Sequence, residues 1–287
     1  MEDVSDLIGR GFRTWRENLN ICLPYLLNMV LSLVIAVLIT AAFAGSLAPL
    51  ENLNLTSVQD VQDLLPILKG TLPGLIEAFV LLILLLSVIS AFFMAGAIGM
   101  AKQALETGKA TAGTMWSSGR DHFVNMFLIN VIMGIIMAVG IIFLIPGTVL
   151  LPRPLQLEPQ AMGALLIGLS LLILYALTIS VILAVAPYAL VVDFLDPIGA
   201  VRASVKFFRY NKFDVFIIWL VIVAVSLGLQ MIGGVFSTGN AAGFQPLSAV
   251  AGLASLLVLS PLSAVWWTRL YMNRTGRLKN SGENDLW

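Results

Sequence analysis

Long apolar runs alternate with short polar, basic stretches along the whole chain. Six runs reach the roughly 20 mostly apolar residues that a helix needs to cross a bilayer. They cover about 21–44, 73–100, 123–146, 161–192, 213–236 and 246–272. The second, fourth and sixth exceed the minimum, which predicts tilt or ends that leave the hydrocarbon. Pro261 inside the sixth predicts a kink. Ahead of runs one, three and five the pattern changes to helical spacing. In the first such segment Val4, Ile8, Phe12, Trp15 and Leu19 share one stripe, with Arg10, Arg13 and Glu17 opposite. The second carries Ala112, Met115, Trp116 and Phe123. The third carries Phe194, Ile198, Val201, Val205 and Phe208, flanked by Arg202, Lys206 and Arg209. Asp196 before Pro197 is a helix-start signal for it.

These three segments align without gaps: Arg16 to Asn18 on Arg120 to His122 on Arg209 to Asn211. The expected fold is therefore an all-α membrane protein of six transmembrane helices. They form three repeats, each an interfacial amphipathic helix plus a two-helix hairpin. A single transmembrane domain would cover 1–275, with repeats about 3–108, 109–192 and 193–275, followed by a tail over 276–287.

Composition agrees with the runs. Hydrophobic residues make up 59% and charged ones 11% of the 287, with mean hydropathy +0.96. A soluble domain carries about 25% charged residues, so water is not the expected solvent. Net charge is zero, which gives no footing for nucleic acid. The single cysteine, Cys22, excludes a disulfide framework or a cysteine-rich metal site. The single histidine, His122, leaves no material for a histidine metal site or a triad. No signal-peptide pattern opens the chain: Glu2, Asp3 and Asp6 precede Arg10, Arg13 and Arg16, and no small-residue cleavage site follows.

Charge also sets an orientation. With six crossings, fourteen Lys and Arg residues fall on one side, and only Lys69 and Arg153 on the other. The basic side is expected to be the cytoplasm of a plasma-membrane protein, with both termini there.

The basic segments supply the first candidate surface. Arg10, Arg13, Trp15, Arg16, Arg120, Arg202, Lys206 and Arg209 would meet membrane lipid headgroups or a protein partner. The plainer reading is that these segments connect hairpins and their cations only fix topology. Asn28, Asn130 and Gln230 are the deepest polar residues of the runs. They would line a path, or hydrogen-bond between helices. Asp193, Asp214 and Glu77 near the interfaces read as helix caps, and His122 as a cap or interfacial residue. Small residues recur at Ala91, Ala95 and Gly99, and at Gly134 and Ala138, where helices can approach closely. The external segment 48–72 reads as a short helix on the outer face, begun by Ser57 or Asp60, with Val58, Val61, Leu64, Leu65 and Leu68 apolar. Glycosylation sequons stand at Asn54 and Asn273, the latter on the basic side. No catalytic constellation, cofactor motif or metal motif is present.

Three stretches carry a resemblance. They are residues 187–204 (PYALVVDFLDPIGAVRAS) with 207–211 (FFRYN), residues 11–18 (GFRTWREN), and residues 104–108 (ALETG). Together they resemble prokaryotic, especially archaeal, polytopic membrane proteins. These are similar to the membrane domain of some glycerophosphoryl diester phosphodiesterases and to YciC-like proteins. The resemblance implies a six-helix membrane domain without the catalytic barrel, and it transfers no functional residues. The expected function is a non-enzymatic scaffold or accessory protein working at its basic face. The alternative is a transporter or lipid-handling permease with a path between the hairpins.

Overall fold

The computed structural model describes residues 2–45, 61–149, 159–237 and 252–278, with side chains over 2–45, 70–147, 162–231 and 252–278. Helix α1 spans Val4–Glu17 and a 3-10 turn, Leu19–Cys22, joins it to α2, Leu23–Ala42. Helix α3 spans Val61–Thr107 and α4 spans Ala112–Val139. A 3-10 turn at Gly140–Leu144 leads to the short α5, Ile145–Val149. Then come α6, Pro159–Leu183, α7, Ala186–Asp193, and α8, Pro197–Ser237. A π-helical turn at Ser255–Leu259 precedes α9, Ser260–Arg274. No strand occurs among the described residues.

Six stretches are helical, long and apolar enough to cross a membrane: Leu19–Ala42, Gly70–Thr107, Ala112–Gly147, Met162–Asp193, Pro197–Met231 and Gly252–Arg274. The chain is a multi-pass membrane protein. The second basic segment is not a separate helix, because α4 runs from Ala112 straight through His122. The predicted outer-face helix is not separate either, since the backbone from Val61 continues into the second crossing. Ser57, Val58, Asp60, Asn54 and the side chains of Leu64, Leu65 and Leu68 lie outside the described residues.

Two breaks do occur, and they are alike. Asn18 has φ −130°, ψ 58°, between α1 and the first crossing. Asn211 has φ −127°, ψ 33°, inside α8. Each asparagine turns its side-chain amide onto the carbonyl four residues back, Thr14 at 3.0 Å and Phe207 at 3.2 Å. The side chain thus takes over a helical hydrogen bond and lets the backbone bend. His122, third in the same register, is a helical residue facing Phe194 instead.

Burial is concentrated at the basic ends. Ala91, Ala95, Ile98 and Met100 on α3, Met115, Met126 and Ile129 on α4, and Ala186 to Val192 on α7 are buried. So are Val215 and Ile218 on α8. Helix α9 is buried from Pro261 to Asn273 except at Ser263 and forms the central post. Lipid offers little hydrophobic drive between helices, so close packing and hydrogen bonds must hold them. The α3–α4 pair shows how. A Cβ on Gly96 would stand 2.8 Å from the Met115 carbonyl oxygen, and one on Gly99 would overlap the Ser118 hydroxyl. The Ser118 hydroxyl donates to the Ala95 carbonyl at 2.9 Å. The first small-residue row therefore seats a neighbour within the chain. Gly134, in the second row, has nothing within 4 Å of a Cβ position.

Pro261 stands in the first turn of α9, directly after a π-helical turn. It lacks the N–H that Leu257 would accept in a regular helix. The π turn accommodates it, with the Ser260 amide bonding Ser255. The thiol of Cys22 on the first crossing donates to the Leu257 carbonyl at 3.0 Å.

Candidate functional site at the basic helix ends

Three acids bind the basic ends together. Glu2 receives Arg269 through two bonds, 2.7 and 2.9 Å, and Arg10 at 3.0 Å. Asp214 on α8 accepts from Arg274 at 2.7 Å. Asp193, at the end of α7, accepts from the Tyr271 hydroxyl at 2.7 Å and pairs with Arg277 at 3.0 Å. Asp193 and Asp214 are therefore ion-pair partners and not the helix caps expected of them. The capping acid of this region is Asp196, whose carboxylate accepts the Gly199 amide at 3.2 Å. Burial would raise the Glu2 carboxyl pKa, but the hydrogen bonds and charges of Arg269 and Arg10 outweigh it and hold the group below its ordinary value.

A turn brings Arg277 back to Asp193. Gly276 has φ 72°. The Arg277 amide bonds the Met272 carbonyl at 2.9 Å and the Gly276 amide bonds Asn273 at 3.3 Å. This is a Schellman ending, which requires a left-handed residue and so favours glycine. Leu278 packs against the core beyond it, so the start of the predicted tail belongs to the body.

The predicted surface residues divide into two kinds. Arg10 is half exposed and tied to Glu2. Trp15 is half buried, 5.5 Å from the Phe12 ring. Arg13, Arg16, Arg120, Arg202, Lys206 and Arg209 are exposed and form no ion pair among the described residues. In α1 the buried positions are Val4, Leu7 and Gly11, while Phe12 and Leu19 of the predicted stripe are exposed. Gly11 is buried because the Trp266 ring lies against it. The Trp266 indole donates to the Ile8 carbonyl at 3.0 Å.

Sequence reasoning missed a polar cleft of about 260 Å³ between α3, α4 and α7. Lys102, Glu106, Asp121, His122 and Phe194 are among its lining residues. The Lys102 ammonium donates to the Val192 carbonyl at 3.1 Å and stands 4.9 Å from the centre of the Phe194 ring. The His122 ring faces Phe194, also at 4.9 Å. His122 is buried within α4, so it is not a helix cap. Phe194 has φ 55°, a conformation that costs a bulky residue about 1–3 kcal/mol. The sequence signal was the spacing of Ser118 and His122, and of Lys102 and Glu106, four apart on facing helices.

The intramembrane amides do not converge on a described cavity. Gln230 is exposed and donates to Ser226 at 3.3 Å. Asn130 is half buried. Asn28 is half buried, and its Oδ1 is buried without a hydrogen-bond partner. A second cavity, about 440 Å³, lies between α2 and α3 and is lined by Ile39, Phe43, Leu75, Ile76 and Phe79 among others. A third, about 500 Å³, is lined by Phe92, Trp116, Ser117 and Arg120.

Comparison with known proteins places the chain without assigning it an activity. An uncharacterized protein of Archaeoglobus fulgidus is 25% identical, over 97% of this chain and 98% of that one. No solved structure matches. The archaeal part of the expected resemblance is found, but nothing connects the chain to glycerophosphoryl diester phosphodiesterases or YciC-like proteins. Residues 30–268 match a family described as a domain of unknown function, DUF7847, and the chain belongs to that family.

Proposed function

We propose that the protein is a non-enzymatic membrane scaffold whose basic face holds anionic lipid headgroups. The observation that supports this is the division among its arginines. Arg269, Arg274 and Arg277 are joined to acids within the fold. Arg13, Arg16, Arg202, Lys206 and Arg209 are exposed and form no ion pair among the described residues. A cation near an anionic membrane surface gains about 1 kcal/mol. In this reading the basic side is cytoplasmic, the membrane is the plasma membrane, and the first and third units share an interfacial helix that bends onto its hairpin. The like bends at Asn18 and Asn211 support this likeness. The permease alternative requires a polar path at Asn28, Asn130 or Gln230, and the outward placement of Gln230 weighs against it.

The test is native mass spectrometry of protein released from mixed anionic and zwitterionic vesicles. Wild type is expected to retain anionic lipid preferentially. Replacing Arg13, Arg16, Arg202, Lys206 and Arg209 by glutamine should remove most of that preference while leaving thermal unfolding unchanged. A variant that folds and keeps the preference would refute the reading.

A further inference from the structure

We propose that the cleft between α3, α4 and α7 binds a small phosphorylated amine, its phosphate on Lys102 and His122 and its ammonium toward Glu106 and Asp121. This site is separate from the outer cations of the scaffold reading, and neither depends on the other.

The argument begins with His122. It is the only histidine of the chain, 6% exposed, and it lines the cleft. Among the described residues neither ring nitrogen has a hydrogen-bond partner, and neither is sealed from solvent-sized space. The imidazole carries one donor and one acceptor when neutral, both open to the cleft. A ligand in the cleft would satisfy it. Lys102 shares the Phe194 ring with His122. One of its three N–H donors goes to Val192, which leaves two for an oxyanion. The left-handed backbone at Phe194 carries the ring that both groups touch.

The acids define the rest of the ligand. Glu106 and Asp121 line the same cleft and are exposed, so they lie at its rim. Neither forms an ion pair among the described residues. A bare anion would meet them unfavourably, whereas an anion carrying an ammonium complements both ends. The volume, about 260 Å³, suits a small polar molecule or headgroup. The same chemistry comes from two sources: the headgroup of an aminophospholipid, or a soluble phosphorylated amine.

His122 itself supplies the readout. Protein carrying isotope-labelled histidine, purified on a histidine-free tag, gives one imidazole signal. It is placed in phosphatidylglycerol nanodiscs and titrated with O-phosphoethanolamine, inorganic phosphate or ethanolamine. A parallel sample uses nanodiscs containing phosphatidylethanolamine. The expected result is a saturable shift with O-phosphoethanolamine, with phosphatidylethanolamine discs, or with both, and the responding arm identifies the source. Lys102→Gln should weaken binding about tenfold or more. Glu106→Gln with Asp121→Asn, both at exposed positions, should erase the preference over inorganic phosphate and leave phosphate binding intact. An unmoved imidazole signal in every arm would overturn the proposal. So would inorganic phosphate binding as tightly as the phosphorylated amine, or a folded Lys102→Gln protein that binds as wild type.

Discussion

Phe194 and Glu2 are the residues at which local chemistry departs most from expectation. Phe194 holds φ 55° and is 70% exposed. Phe194→Ala keeps the strained backbone and loses the ring, whereas Phe194→Gly loses the ring and the strain together. The glycine variant should therefore be the more stable by about 1 kcal/mol, read from thermal unfolding in detergent. Glu2 gives a pH prediction. Its folded pKa lies below the ordinary value, so its stabilisation is present above about pH 4.3, the unfolded value. That stabilisation is lost as pH falls through the lower folded value. Unfolding midpoints measured from pH 7 to pH 3 should fall in that window, and Glu2→Gln should flatten this part of the profile. At pH 7 the same variant should cost about 2–3 kcal/mol, because Arg269 keeps a weaker partner in a buried place. Sequence could not show this pairing. Glu2 and Arg269 are 267 positions apart, and only the fold brings them together.

At the scale of elements, the two small-residue rows looked equivalent and are not. Gly99→Val should destabilise by about 3 kcal/mol or prevent folding, since its side chain has no room beside Ser118. Gly134→Ala should be neutral or stabilise by up to about 1 kcal/mol, since nothing lies within 4 Å. Circular-dichroism melts of the purified variants test the contrast. Helix positions were legible because apolar runs and basic flanks mark them directly. The bends at Asn18 and Asn211 were legible as a register and fall at corresponding places. The continuity of α4 through His122 was not, because only an amide reaching the carbonyl four residues back distinguishes a bend from a straight helix here. The cleft was also hidden. Its walls come from three elements, and Phe194, one of its lining residues, read as part of an amphipathic stripe.

At the scale of the molecule, packing among the described residues is graded along the crossings. Buried side chains gather at the basic ends, around α9, and the inner faces of the crossings toward the other end are half buried. Hydrogen exchange of the detergent-solubilised protein should be slowest over 91–101 and 262–273 and faster in the remaining described parts of the crossings. Equal protection along each crossing would contradict the gradient. The seat of α1 has a consequence for biogenesis. The partners of Glu2, just ahead of it, and of its Ile8 carbonyl are Arg269 and Trp266, both on the sixth crossing. During synthesis the first helix must wait, undocked, while five crossings enter the bilayer. Ribosome-stalled chains ending before residue 260 should leave α1 open to protease, and chains carrying the sixth crossing should protect it. The protein closes like a clasp, with its first turn fastened by its last crossing.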